Sequence, residues 1–366
     1  MTTIRQLTAY LESIAPLAYQ ESYDNAGLIV GDPNTPITGV LVTLDTTEAV
    51  IDEAVARGCN LVVAHHPIVF RGLKKLNGKN YVERTVIKAI KNEVAIYASH
   101  TNLDNVAGGV NAKIAEKLGL QEVQILAPKA QTLSKLVVYT PDADLPAVLQ
   151  AVYEAGAGRI GAYDHCSFRM GGTGTFRPLN GSNPVVGTVD RDETVQEQRL
   201  EVLLPTHLEG AIVAAMKQAH SYEVPAYDLY ALTNSNQTVG SGAVGNLPAP
   251  MSGANWLMYL KETMQLPLIR HTALPDRPIR RIAVCGGAGS FLLADALRAG
   301  ADAFVTADYK YHEFFDAEGR LIICDIGHYE SEVCTKELIG GLLAKKFTTF
   351  AVILSGIDTN PVQYFT

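Results

Sequence analysis

The chain lacks the marks of a membrane protein and of a disulfide scaffold. Its 366 residues contain no run of about 18 uninterrupted apolar residues, which argues against a transmembrane helix. The five cysteines, at 59, 166, 285, 324 and 334, include no CxxC pair, and their odd number argues against a disulfide framework. Cys285 and Cys324 lie in apolar runs and read as small buried hydrophobes. Positive charge is scarce too: 30 Lys and Arg face 38 Asp and Glu, a net −8, so no general nucleic-acid binding is expected. There is no G-x-S-x-G elbow, which disfavours a Ser-His-Asp hydrolase. The opening Met1-Thr2-Thr3-Ile4-Arg5-Gln6 turns polar within a helical pattern, unlike a signal peptide, so a cytoplasmic location is expected.

What the chain has in quantity is apolar residues. At 47% hydrophobic content it can feed the cores of roughly two domains. Ile4, Leu7, Leu11 and Ile14 recur at helical spacing before Pro16. Strands are expected at 39–44, 61–64 and 94–98, with helices near 48–57, 81–92 and 108–118 between and after them. Thr46 or Thr47 is placed to cap the first of these helices. Such alternation implies mostly parallel sheets with helices on both faces, an α/β fold.

Near Pro128 the pattern changes. Residues 131–234 read β-α-β-β-α-β, the order of a ferredoxin-like α+β module inserted in the α/β domain. Its 7 basic and 12 acidic residues give −5, which does not suit an RNA binder. The glycine-rich stretch 170–175 reads as a turn, and 233–245 as a polar bridge. The expected domains are thus 1–130 and 235–366, two parts of one α/β domain, and the inserted 131–234.

Unlike residues gather at the ends of expected strands. Leu61-Val62-Val63-Ala64 runs into His65-His66-Pro67, where the proline stops the strand. A second strand ends in Ser99-His100-Thr101-Asn102-Leu103-Asp104, read as a loop. A third ends before His328, which opens a helix and shares a face with Glu332 four residues on. Open α/β sheets bind ligands at strand carboxyl ends. Imidazole with carboxylate suits zinc, manganese, iron or cobalt. Three histidines and two carboxylates exceed the needs of one open zinc site and suit two divalent ions about 3.5–4 Å apart. The expected ligands are His65 and His328 on one ion, His66 and Asp104 on the other, and Glu332 bridging. Gly286-Gly287-Ala288-Gly289-Ser290 reads as a tight turn or as a phosphate cradle without the P-loop lysine. His312 reads as a surface residue or one beside the ligands, and His165, His207, His220 and His271 have no partner pattern.

These residues resemble the Nif-three-like dinuclear metal-binding family, whose members are catalogued as GTP cyclohydrolase 1 type 2 homologs. The resemblance rests on Asp24-Asn25-Ala26-Gly27-Leu28 with Gly31, His65-His66-Pro67, the stretch from Ser99 to Asp104, Gly286 to Ser290, Asp308 with Tyr311-His312, and Gly327 to Glu332. Tyr23 stands where the family often has Trp, and Ala26 where Val is common. The resemblance implies metal ligands at His65, His66, Asp104, His328 and Glu332. It also implies a toroidal homohexamer whose metal sites face an inner cavity, and a long-form insert similar to the PII and CutA trimers, here 131–234. The activity it implies is hydrolysis of a nucleotide or related small molecule through a metal-bridging hydroxide. In GTP cyclohydrolase chemistry water adds at purine C8, the ring opens and formate leaves, with His100 as the proton carrier. The alternative is a non-enzymatic metal-binding regulator or scaffold with a sensor insert.

Overall fold

A computed structural model describes residues 1–365. In chain order, its strands begin with β1 (Gly27–Val30), β2 (Gly39–Thr43), β3 (Leu61–Ala64), β4 (Ala95–Ala98) and β5 (Gln121–Lys129). Then come β6 (Leu133–Thr140), β7 (Ser167–Phe176), β8 (Glu193–Pro205), β9 (Tyr227–Ala231) and β10 (Asn236–Met251). The last are β11 (Arg270–His271), β12 (Ile279–Ala288), β13 (Ala303–Ala307), β14 (Ile322–Asp325) and β15 (Ala351–Leu354). The chain divides into two compact units, residues 1–128 with Gln237 onward, and Lys129–Asn236.

The first unit holds two sheets, ordered β1-β4-β3-β2-β15 and β11-β14-β13-β12-β10-β5. β15-β2-β3-β4 and β12-β13-β14 pair in parallel. β1, β10 and β11 run antiparallel to β4, β12 and β14, so the sheets are more mixed than the alternation of elements suggests. Side chains alternate across each strand. Val40, Val42, Leu61 and Val63 share one core with Ile282, Val284, Ala303, Val305 and the buried face of helix Ile4–Ile14. Leu41, Val62 and Ile96 point the other way, onto Val50, Ile51 and Val86. Ala283, Phe304 and Ile323 do the same in the second sheet, beside Leu292 and Ala296. The central strands β2, β3, β4, β13 and β14 are therefore covered on both faces, which is why they are largely apolar.

The second unit follows the order β6, helix Leu145–Glu154, β7, β8, helix Glu209–Ala219, β9. Its sheet is antiparallel at every pairing, in the order β7-β8-β6-β9. Leu136, Val138, Leu200 and Val202 pack on Val148, Val152, Ile212 and Met216.

Three local readings need correction. Residues 170–175 are not a turn but the middle of β7, an edge strand paired with β8 along its length. The stretch 233–245 is not merely a bridge, for from Asn236 it is the start of the sixteen-residue β10. Its Ser, Thr and Gly residues carry no apolar alternation, but its backbone bridges the 105–107 segment, the Gly240 amide donating to the Asn105 carbonyl and the Ala107 amide to the Thr238 carbonyl. Thr101–Asp104 is a turn of helix, not a loop.

Candidate metal centre

Strand register brings the chemistry together. Thr43, Ala64 and Ala98 are level across β2, β3 and β4, so Asp45, His65-His66 and Ser99-His100 leave the sheet at one edge. β1 pairs antiparallel with β4, Gly27 opposite Ala98, which returns Asp24 to the same edge. In the second sheet Thr306 pairs with Asp325. Asp308 and the short helix His328–Glu332 follow immediately.

Four imidazoles converge there in one manner. Each has Nδ1 on an acceptor: His65 on the Ser99 carbonyl at 2.8 Å, and His66 on Asp45, His100 on Asp24 and His328 on Asp308, all at 2.7 Å. That fixes the ring and leaves Nε2 for the cluster, the usual arrangement behind a metal-binding histidine. His66 Nε2 and His328 Nε2 lie 2.9 and 3.1 Å from Glu332 Oε2. His65 Nε2 lies 3.6 Å from Asp104 Oδ1 and 3.8 Å from Glu332 Oε1. His65 Nε2 and Asp104 Oδ1 are both buried with no hydrogen-bond partner. An orphaned pair of this kind is costly in a protein interior unless another group completes it. The donor set therefore fits metal ions.

Two triads can hold an ion: His66, His328 and Glu332, and His65, Asp104 and Glu332. The histidines are thus grouped differently from the sequence-based pairing, in which His65 joined His328. The reason lies at the end of β3, where the buried His65 ring turns under towards Asp104 and His66 faces the helix of His328. A third group joins His100 to His65 and His66, with ring centroids 5.3 and 5.4 Å away.

The electrostatics of the metal-free cluster follow from these contacts. Burial works against the charged forms of His66 and His328, but hydrogen bonds to carboxylates outweigh it. His66 is held up at about 10 by Asp45 and Glu332, and His328 at about 9 by Glu332 and Asp308. Burial would raise Glu332, yet its imidazole partners hold it well below its ordinary value. Burial and the neighbouring Glu332 charge push Asp104 up. Asp24 is also buried, but hydrogen bonds from His100 and Thr101 bring it down to about 2. It is a fixed anion behind His100.

The glycine-rich stretch has a steric role. β12 runs through Ala288, and a Cβ on Gly287 would stand 2.6 Å from Glu332 Oε1 and 3.2 Å from His328 Nε2. With φ at +59°, this position also strains any L side chain. Gly286 and Gly287 thus give room to the central carboxylate, and their amides donate to Asn111 Oδ1 and Ser331 Oγ. Gly287→Ala is expected to cost about 1–3 kcal/mol of stability and to lower metal content below that of the wild type. Thermal unfolding and elemental analysis check this, and unchanged metal content would refute the clearance argument.

Asp45, Asp24 and Asp308 orient three of the cluster's imidazoles, a role that local reasoning passed over. The usable signal was their position at or beside strand ends. Asp45 also accepts from Thr359 Oγ1 at 2.7 Å, which ties the segment after β15 to the His66 ring. His312 stands outside the cluster, its ring beside Tyr311 and Phe315. His165, His207, His220 and His271 belong to none of the candidate groups.

A mixed α/β protein with three sheets and a histidine–carboxylate cluster at its strand ends is a candidate metal-binding protein. Comparison then gives the family: the Duf34/NIF3 (NGG1p interacting factor 3) profile matches residues 2–361, and the chain belongs to this family. A Halalkalibacterium halodurans protein named GTP cyclohydrolase 1 type 2 homolog is 40% identical, with 96% of each chain covered. A Bacillus subtilis protein of the same name is 38% identical, with 98% of each covered. A solved Bacillus cereus protein related to NIF3 superposes with a TM-score of 0.86 at 36% identity, covering 100% of this chain and 99% of that one. Among the described residues no helix is long and apolar enough to cross a membrane.

Proposed function

We propose that the protein is a dinuclear metal-dependent hydrolase acting on a nucleotide or a related small molecule. The observation that carries this reading is the orphaned pair His65 Nε2 and Asp104 Oδ1, 3.6 Å apart beside Glu332. His65 and Asp104 would hold one ion, His66 and His328 the other, and Glu332 would serve both. Two divalent ions there would supply Lewis acidity and a water of lowered pKa. His100 is not needed to complete either triad. Asp24 fixes its Nδ1 and so presents Nε2 to the cluster, where it can take or return a proton. The relatives' name supports a purine nucleotide as one substrate to test.

Other parts of the reading draw on the family resemblance. The β-α-β-β-α-β order of residues 129–236 supports a ferredoxin-like insert akin to PII and CutA. A homohexamer with its metal sites turned inward is the assembly we propose, to be measured by sedimentation. Five unpaired cysteines suit a reducing, cytoplasmic setting. A regulator or scaffold is the second reading. It is favoured by a cavity of about 820 Å³ in the second unit, which contributes none of the candidate ligands.

Metal-reconstituted protein, offered GTP, generic phosphoesters and a metabolite mixture, is expected to turn over at least one of them. His66→Ala should reduce that rate by a hundredfold or more, in line with the loss of a metal ligand. Untouched substrates together with tight partner binding would decide for the scaffold.

A further inference from the structure

Beside the cluster opens a cavity of about 380 Å³. Its floor includes His66, His100, His328 and Glu332, and three aromatic side chains stand on its walls. Tyr23, Phe70 and Phe291 are 62%, 48% and 66% exposed, although large aromatic side chains are ordinarily buried when a core is within reach. They come from three separate places: the segment before β1, the loop after His66-Pro67, and the 3-10 turn after the Gly286–Gly289 stretch. Tyr23 and Phe70 stack with centroids 6.3 Å apart and planes 29° apart. Phe70 meets His100 edge-on at 5.9 Å, so the aromatic wall is continuous with the cluster. Among the described residues no Lys or Arg lines this cavity, and its charged walls are the carboxylates of Glu21, Asp104 and Glu332. The protein therefore offers ring faces and carboxylates there, and no lysine or arginine to hold an anionic ligand.

We propose that Tyr23, Phe70 and Phe291 form an aromatic lip that binds a planar aromatic or heteroaromatic ring and sets specificity at the metal centre. The assignment rests on the hydrolase reading only for the chemistry at the cavity floor. Recognition comes from stacking on the ring, the sequence-tolerant interaction by which aromatic side chains hold nucleobases and similar heterocycles. A cavity of this size takes a bicyclic ring with a substituent. Substituents on the ring then meet the floor, where His66, His328 and Glu332 lie.

The test uses two neutral probes of one shape class, naphthalene-2-carboxamide and its fully saturated analogue, so that charge is not a variable. Both are titrated by ligand-observed NMR against the full chain, metal-loaded and metal-free. The aromatic probe should bind about tenfold tighter than the saturated one, in both metal states. Phe70→Leu with Phe291→Leu keeps apolar bulk but removes two ring faces, and should bring the preference to within about twofold. Metal content by elemental analysis should not change in that variant. Equal affinity for the two probes in the wild type, or a preference that persists undiminished in the double variant, would overturn the lip. A ring preference in a protein that binds no metal would sink the hydrolase reading and leave the lip standing. Full metal loading without any ring preference would do the reverse.

Discussion

Glu332→Gln is expected to empty both halves of the metal centre at once, lowering the affinity of each by at least about a hundredfold. One oxygen of this buried carboxylate faces His66 and His328, and the other faces His65. Glutamine keeps the shape but removes the charge, and it turns one oxygen into an N–H donor that repels a cation. The contrast with single-sided changes makes the prediction specific. His65→Ala should weaken chiefly the ion shared with Asp104, and His328→Ala chiefly the ion shared with His66. Stoichiometry by elemental analysis and stepwise titration with Co²⁺, followed by its absorption, separates the cases. A Glu332→Gln protein with two ions per chain at wild-type affinity would show that the carboxylate is not shared.

Metal uptake should strengthen steeply as pH rises. Without metal, His66 keeps its proton up to about pH 10 and His328 up to about pH 9. Each must lose it before Nε2 can bind an ion, so protons compete with metal at neutral pH. Two protons displaced means that apparent affinity climbs by up to about a hundredfold per pH unit below pH 9. It then climbs by about tenfold up to pH 10 and levels off beyond. Asp104, pushed up by burial and by Glu332, adds to the slope wherever it is protonated. For the metal-free fold the sign is opposite. The raised imidazoles stabilise it fully below their ordinary value near 6.5, and this is lost as pH passes 9 to 10. Chelator competition at several pH values, with calorimetry in two buffers to count released protons, tests the uptake. Constant affinity from pH 6 to 9 with no proton release would contradict it.

The site was legible where its logic is local. A strand stopped by proline after His65-His66 and a one-turn His328/Glu332 pair can both be read from spacing. Asp24, Asp45 and Asp308 could not be read this way, since each reaches its histidine only through strand register, across 76, 21 and 20 residues. The same limit explains the histidine grouping, because nothing in the dipeptide tells which ring turns under the sheet edge. For the fold, apolar strands buried on both faces announced themselves. β7 and the first part of β10, rich in Gly, Thr and Ser, carry no such pattern and took their structure from their neighbours.

Because the first unit is built from two stretches of chain, its centre also has an order of assembly in time. His65, His66 and Asp104 leave the ribosome long before His328 and Glu332, with all of residues 129–236 made in between. At ordinary elongation rates of about 5–20 residues per second, the delay between Asp104 and Glu332 is on the order of 10–45 s. Through that interval the nascent chain carries His65, His66, His100 and Asp104 but neither His328 nor Glu332. An ion taken up during that interval would have only the early members of the proposed ligand set. On the dinuclear reading, the shared carboxylate that would complete both halves of the centre is therefore among the last parts of the site to be made.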